Sequence, residues 1–284
     1  MPLDVALATC LELPEPDPDL EPLLDALRAA GLSAEALAWD DPRADFASAR
    51  TTLLRSTWNY SERIDAFLQW IDRTASTTAL WNPRATVRWN AHKGYLLDLQ
   101  ARDVPVVPTL LLRRGDETPL ARAAGERGWD DVVVKPAVSG GSRATLRVRP
   151  GDAARGETHL RALVAREDVL VQPYLASVEG HGERAIVTVA GKPTHAVRKS
   201  PRFLGDAERV SQAVPIEPDE ARLVEQALAA APEPVLYGRV DVARDATGRP
   251  CIMELELIEP SLFFAQSPDA LHRYVAAVLQ RLGA

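Results

Sequence analysis

Lysine is scarce in this 284-residue chain: of 33 Lys and Arg side chains only four are lysines, Lys93, Lys135, Lys192 and Lys199. Asparagine is as rare, at Asn59, Asn82 and Asn90, and cysteine occurs only as Cys10 and Cys251. Two distant cysteines have no metal or redox spacing, which leaves two buried thiols or one disulfide as readings. No basic run appears and the formal charge is −7, whereas nucleic-acid binders carry a basic stripe to offset phosphate charge. No apolar stretch has the length that crosses a bilayer. The acidic, proline-rich opening MPLDVALATCLELPEPDPD has the wrong composition for a signal or transit peptide. The expectation is a cytoplasmic protein acting on a small molecule, without nucleic acid or membrane, as a monomer or homo-oligomer. Where arginine has replaced lysine almost everywhere, a surviving lysine draws notice as a site that wants a compact ammonium rather than a planar fork.

The apolar patterning that is present is of α/β type. Runs at 3–9, 34–38 and 51–55 read as strands, and 20–30 has helical period up to Gly31. Ser61 is placed to cap a helix whose Ile64, Phe67, Leu68 and Ile71 share one face, and Asn90 to cap another reaching about residue 101. This alternation predicts a parallel sheet. A second unit begins near Val104, with strands at 132–135, 145–148 and 169–172 and a helix at 153–166. A hairpin turns at Ala190–Gly191 between strands 184–190 and 193–199. A helix at 220–231, strands 238–243 and 250–257 and a helix at 268–282 complete the chain. Loop 14–19 (PEPDPD) has the look of disorder.

Four constellations can carry chemistry. Asp241 lies on one late strand, and Glu254 and Glu256 lie two apart on the next, so the pair shares a face. Amid Met253, Leu255, Leu257 and Ile258, converging carboxylates resist ionisation unless cations offset them. Hard oxygens of this kind suit Mg2+ held together with substrate phosphates; a solvated face paired with Arg239 and Arg249 fits the spacing equally well. VVVKPAVSGGSR sets Lys135 at a strand end before Ser139, Gly140, Gly141 and Ser142, a loop whose backbone N–H groups can approach phosphate oxygens, or a plain hairpin turn. It is neither a P-loop nor a dinucleotide fingerprint, since no GK[ST] follows and no GxGxxG opens a helix. VLVQPYL runs into Gln172, Tyr174 and Leu175, a hinge for adenine or simply a buried strand end. RSTWNY puts Arg55, Ser56, Thr57, Trp58, Asn59 and Tyr60 at a strand's carboxyl end, where α/β sheets bind ligands. It suits a small amino-acid-like substrate, or else is a core Trp and Tyr before a capped helix. His195 reads as structural and His92 as incidental.

The order of these pieces resembles the ATP-grasp superfamily over roughly residues 90–260. The resemblance implies an N-terminal α/β unit (1–90), a lid unit with the glycine loop (91–175) and a C-terminal unit with the metal carboxylates (176–284), the last two being α+β units that clasp ATP. It implies that Lys93 and Lys135 contact phosphates under the 139–142 loop and that Gln172, Tyr174 and Leu175 frame adenine. Glu183 would meet the ribose, and Asp241, Glu254 and Glu256 would hold two Mg2+, or Mn2+. Lys199 falls where the family often places a phosphate-contacting basic residue. Arg198 and Arg239 are candidates to hold a carboxylate or the transferring phosphoryl group, Arg239 alternatively neutralising the metal carboxylates. The family's usual Glu-x-Asn is here Glu254-Leu255-Glu256. RSTWNY, FLQW, Asn82-Pro83, VRWNAHKGYL, HAVRKSP and MELELIEPSLFF are similar to the subgroup that contains O-ureido-serine cyclo-ligase. That subgroup implies an enzyme activating a small amino-acid-like carboxylate as an acyl-phosphate for attack by an amine. Intramolecular cyclisation, a phosphotransferase and an ATP-binding module without catalysis are the alternatives.

Overall fold

The computed structural model describes residues 3–200 and 209–283. Strands β1 (Leu3–Thr9), β2 (Ala34–Ala38), β3 (Ala49–Ser56) and β4 (Ala79–Trp81) form a parallel sheet in the order β2-β1-β3-β4. Helices α1 (Leu20–Ala29) and α2 (Ile64–Thr77) connect them. Parallel strands covered on both faces bury nearly every side chain, which is why β1 and β3 read as unbroken runs rather than alternating ones. Short helices α3 (Arg84–Asn90) and α4 (Tyr95–Gln100) lead to the second unit. There β5 (Leu110–Leu112), β6 (Val132–Pro136), β7 (Leu146–Val148) and β8 (Val169–Pro173) pair antiparallel in the order β5-β8-β6-β7, with α5 (Leu120–Gly125) and α6 (Ala153–Val164) packed on them.

The third sheet has the order β10-β9-β11-β12, built from β9 (Glu183–Val189), β10 (Lys192–Lys199), β11 (Tyr237–Arg244) and β12 (Pro250–Glu256), with α7 (Ser177–Gly180) before it and α8 (Pro218–Ala229) inserted. Its hairpin turns at Ala190 and Gly191, both at positive φ, the signature of the tight turn that matches strand twist. One face of this sheet packs on α4 and α8. Its other face, through Val187, Val197 and Tyr237, joins the core of the first sheet, and α9 (Pro268–Leu282) supplies Tyr274, Val275 and Val278 to that same core. Among the described residues no helix is long and apolar enough to cross a membrane.

Two of the three asparagines brace the seam between units. Asn82 accepts from Leu236 N (2.7 Å) and donates to Tyr237 O (2.8 Å) and Leu257 O (2.7 Å). Asn90 accepts from Leu257 N and donates to Leu255 O, both at 2.8 Å. Asn90 therefore ends α3 and does not cap a following helix, because its amide is committed to β12. Ser61 does not cap α2 either. Tyr60, buried 4.9 Å from the Phe67 ring, holds residues 60–62 in a 3-10 turn, so the helix starts three residues later.

Loop 14–19 is ordered at its end. Asp19, buried, accepts from the backbone N–H groups of Leu262 (2.7 Å), Phe263 (3.1 Å) and Phe264 (2.9 Å). Removing that carboxylate strands three buried donors and strips the neighbouring Arg55 of a counter-charge. Asp19→Ala is expected to destabilise the protein by about 3 kcal/mol or more, read as a lower urea midpoint at unchanged slope.

Candidate active site

A cleft of about 750 Å³ is lined by residues of all three units. At its centre lie the late-strand carboxylates. Asp241 on β11 faces Glu254 on β12, and Arg239 faces Glu256 one step along the same pair. Oxygens of Asp241, Glu254 and Glu256 all lie within 4.8 Å of one another. Arg239 grips Asp241 with two nitrogens, at 2.8 and 3.0 Å, and also pairs with Glu256. Lys199 reaches Asp241 (2.9 Å) and Glu183 (2.8 Å), and Lys93 reaches Glu254 at 2.8 Å. Lys135 lines the same cleft, and its ammonium makes no ion pair or hydrogen bond with any described residue.

Four carboxylates thus meet four cations, and burial decides what each does. Burial works against the Asp241 anion, yet Arg239 and Lys199 hold its carboxyl well below the usual range. Glu254 is likewise lowered, against its burial, by Lys93 and Lys135. Glu256 is pushed up to about 8: its burial, with the charges of Asp241 and Glu254, outweighs Arg239. Glu183 is also raised, by burial and then by Asp241 against the pull of Lys199. Burial lowers the Lys135 ammonium, and Lys93 adds to that, while Glu254 opposes it. The cluster therefore keeps two carboxyls, Glu256 and Glu183, whose ionisation a further cation would favour, and a desolvated lysine ready for an anion.

The remaining expected residues fall into two groups. Ser139, Gly140, Gly141 and Ser142 line the cleft as the loop leaving β6. Gly141 adopts a positive φ of 57°, a conformation that costs a glycine little. Lys93 is tied to this loop by its backbone N–H on Ala137 O (2.7 Å) and its ammonium on Ser139 O. Gln172, Tyr174 and Leu175 line the cleft at the end of β8, beside Val107, Val133 and Met253. The Gln172 amide is turned to Thr109, at 2.8 Å. An unforeseen clamp holds Tyr174: the Arg147 guanidinium lies 3.3 Å from its ring centroid and pairs with Asp131 and Glu179, both at 2.7 Å. Pairing of β6 with both β7 and β8 brings these four together.

Several placements differ from expectation. Arg55 is buried at 1% exposure and bonded to Asp17 at 2.7 Å, with Asp19 at 3.7 Å; it does not line the cleft. Ser56 is buried against Thr9 (3.0 Å), and Thr57 is buried as well. Only the second half of RSTWNY lines the cleft: Trp58, Asn59 and Tyr60. Even there Asn59 is bonded to Trp39 and Asp40, both at 2.7 Å. Arg198 bonds the Gly180 carbonyl and does not line the cleft, because neighbours on a strand face opposite ways and Lys199 takes the inner one. Glu183 stands with the acidic cluster, on Lys199. His195 is buried with Nδ1 at 3.0 Å from Thr194 and its pKa lowered by burial, which fits a structural residue. Pro201 of HAVRKSP lies outside the described residues. Among the cleft residues that sequence reasoning passed over are Arg143 and Glu259, the latter inside MELELIEPSLFF.

Residues 5–82 match the family model described as the N-terminal domain of D-cycloserine synthetase DcsG. Over 282 residues the chain is 33% identical to the cycloserine biosynthesis protein DcsG of Streptomyces lavendulae, covering 94% of each chain. The crystal structure of D-cycloserine synthetase DcsG superposes with a TM-score of 0.89, at 33% identity, over 98% of this chain and 99% of that one. The ATP-grasp ligase PsnB, solved with precursor peptide PsnA2 and AMPPNP, shares the fold at a TM-score of 0.68 and 16% identity, over 99% of both chains. So does D-alanyl-alanine synthetase A of Vibrio cholerae, at 0.71 and 13%, over the full length of each.

A carboxyl held below its unfolded value of 3.8 adds stability that is fully present above that pH and is lost as the pH falls through the folded value. Asp241→Asn is expected to lower the Tm near pH 7, with the gap to wild type steady down to about pH 5 and closing progressively below about pH 4. A gap of constant size would mean that Asp241 is not the held-low anion.

Proposed function

The chain belongs to the DcsG family of ATP-grasp ligases, and from that premise we propose that it joins carbon to nitrogen on a small amino-acid-like substrate while converting ATP to ADP and phosphate. The observation that carries the reading is the pairing, in one cleft, of three converging carboxylates, one of them raised by its neighbours, with a desolvated Lys135 whose ammonium has no partner among the described residues. Two Mg2+ and a nucleoside triphosphate bring four positive and four negative charges, which suits a site whose own charges already balance. Asp241, Glu254 and Glu256 are the residues that would hold the metal, which supplies Lewis-acid charge to the phosphate oxygens when bound.

In this reading a substrate carboxylate oxygen attacks the γ-phosphorus and ADP leaves. A nitrogen lone pair then attacks the acyl carbon, phosphate departs and the nitrogen gives up a proton. Lys135 offers its ammonium to a phosphate oxygen. Lys93, fixed to Glu254 and to the loop carbonyl of Ser139, ties the loop position to the acidic cluster. Lys199 and Arg239 keep Asp241 ionised. The 139–142 loop excludes water, which would otherwise hydrolyse the acyl-phosphate. The hinge 172–175 takes the adenine, unit 91–175 acts as the lid over unit 176–284, and unit 1–90 faces the substrate through Trp58, Asn59 and Tyr60. Full-length likeness to a cycloserine synthetase favours an intramolecular version, with carboxylate and nitrogen in one molecule. Mass spectrometry separates the two versions: a cyclised product derives from a single substrate molecule.

Lys135→Ala and Asp241→Asn are each expected to cut substrate-dependent ADP formation about a hundredfold or more; full turnover in both would sink the assignment. Binding of Mg2+–ADP should also release a proton. Glu256, pushed up to about 8, is protonated at pH 7 and is discharged when a cation arrives, so affinity rises as the pH climbs through that value. Calorimetry in buffers of different ionisation enthalpy should read release approaching one proton near pH 7 and almost none near pH 9.5.

A further inference from the structure

Charge is divided along the cleft. The cations that line it, Lys93, Lys135, Arg143, Lys199 and Arg239, come from the second and third units and from the helical link before them. The stretches 12–15, 58–62 and 259–261 contribute none, and they bring Glu12, Glu15, Glu62 and Glu259 instead. Glu15 and Glu259 are the half-buried ones of these, and Glu259 lies nearer in sequence to the carboxylates of β12. Its carboxyl forms no ion pair and no hydrogen bond with another described residue. The charge that offsets it most is Lys93, which is already engaged by Glu254 and the Ser139 carbonyl. Burial in that state pushes Glu259 up to about 7. An acid set part-way out of water without a counter-charge is costly for the empty protein, and a cationic ligand removes that cost.

The backbone around Glu259 is fixed on both sides. Trp58 Nε1 donates to the Glu259 carbonyl at 3.0 Å, Pro260 follows, and Asp19 grips the next three free N–H groups at 262–264. Residues held this firmly are pre-organised for a ligand rather than for adaptable surface contact. The neighbouring Tyr60 phenol feels the charge, its pKa raised first by burial and next by Glu259.

Resting on the ligase reading above, we infer that Glu259 receives the primary ammonium group of the amino-acid-like substrate, leaving that molecule's carboxylate to the lysine-rich side of the cleft. The division of charge then orients the substrate: its anionic end meets Lys93, Lys135 and Arg239, and its cationic end is drawn to the acidic end beside Trp58 and Tyr60.

The test uses the full chain, its Glu259→Gln and Glu259→Asp variants, and two pairs of probes. O-ureido-serine and its deamino analogue are the substrates, and cycloserine and 1,2-oxazolidin-3-one, the same ring without the amine, are the binding probes. Glu259→Gln is expected to raise KM for O-ureido-serine, and Kd for cycloserine, by about tenfold to a hundredfold, the loss of one charge-assisted hydrogen bond. Glu259→Asp should fall between wild type and Gln. Binding of AMPPNP should stay within about twofold in every variant, which also reports that they are folded. On the amine-free probes wild type and Glu259→Gln should perform alike. The inference is overturned if the Gln variant behaves as wild type on amine-bearing probes, or loses as much on amine-free ones. It is also overturned if kcat alone falls while KM holds, the signature of a proton acceptor. A wild-type protein that binds AMPPNP but neither turns over O-ureido-serine nor binds cycloserine overturns the substrate reading itself, a result distinct from each of these.

Discussion

The carboxylate of Asp19 accepts three consecutive backbone N–H groups, at 262–264, while Arg55 lies 3.7 Å away and is bound to Asp17 at 2.7 Å. This knot joins three parts of the chain that are distant in sequence: the acidic loop after β1, the carboxyl end of β3, and the segment leaving β12. It is buried, so its charges must be satisfied internally, and the many acceptor–donor contacts make that feasible. The acidic end of the cleft depends on it. Trp58 follows Arg55 by three residues, Glu12 and Glu15 precede Asp17, and Glu259 sits just before the gripped amides.

At the other end of the cleft the same logic is left deliberately incomplete. Arg239 and Lys199 satisfy Asp241, and Lys93 satisfies Glu254, but Glu256 and Glu183 are still raised and the Lys135 ammonium lacks a partner among the described residues. A fully neutralised cluster would have no reason to take metal and polyphosphate, whereas a wholly uncompensated one would not fold. Strand pairing sets the compromise, because register places Asp241 across from Glu254 and Arg239 across from Glu256.

Much of this could be read from the residues. The strand period put Glu254 and Glu256 on one face, and they meet Asp241. The scarcity of lysine was informative: three of the four line the cleft, and Lys192 is on the surface with its side chain 77% exposed. The scarcity of asparagine was informative in another way, since Asn82 and Asn90 hold backbone across unit boundaries and Asn59 is bound within its own unit. Period two also forbids Arg198 and Lys199 from facing the same cleft, and adjacency in HAVRK obscured that. Other features depend on contacts between distant residues. Arg55 looked like a substrate cation because nothing in RSTWNY shows Asp17 and Asp19 waiting above it. PEPDPD has the composition of a disordered loop, and only the amides at 262–264 give Asp19 a reason to be buried. Strands of three residues, such as β4 and β5, are too short for any period to register.

Helix α9 closes the first unit's core with Tyr274, Val275 and Val278, although the strands it covers begin at residue 3. During synthesis the opening βα segments therefore leave the ribosome with one side of their apolar surface uncovered. They remain so until residues near 278 have been made, after the strands of the other two sheets have been completed. The unit translated first is thus the one whose core is finished last, and over that interval its bare strands are the part of the nascent chain most in need of shielding from aggregation.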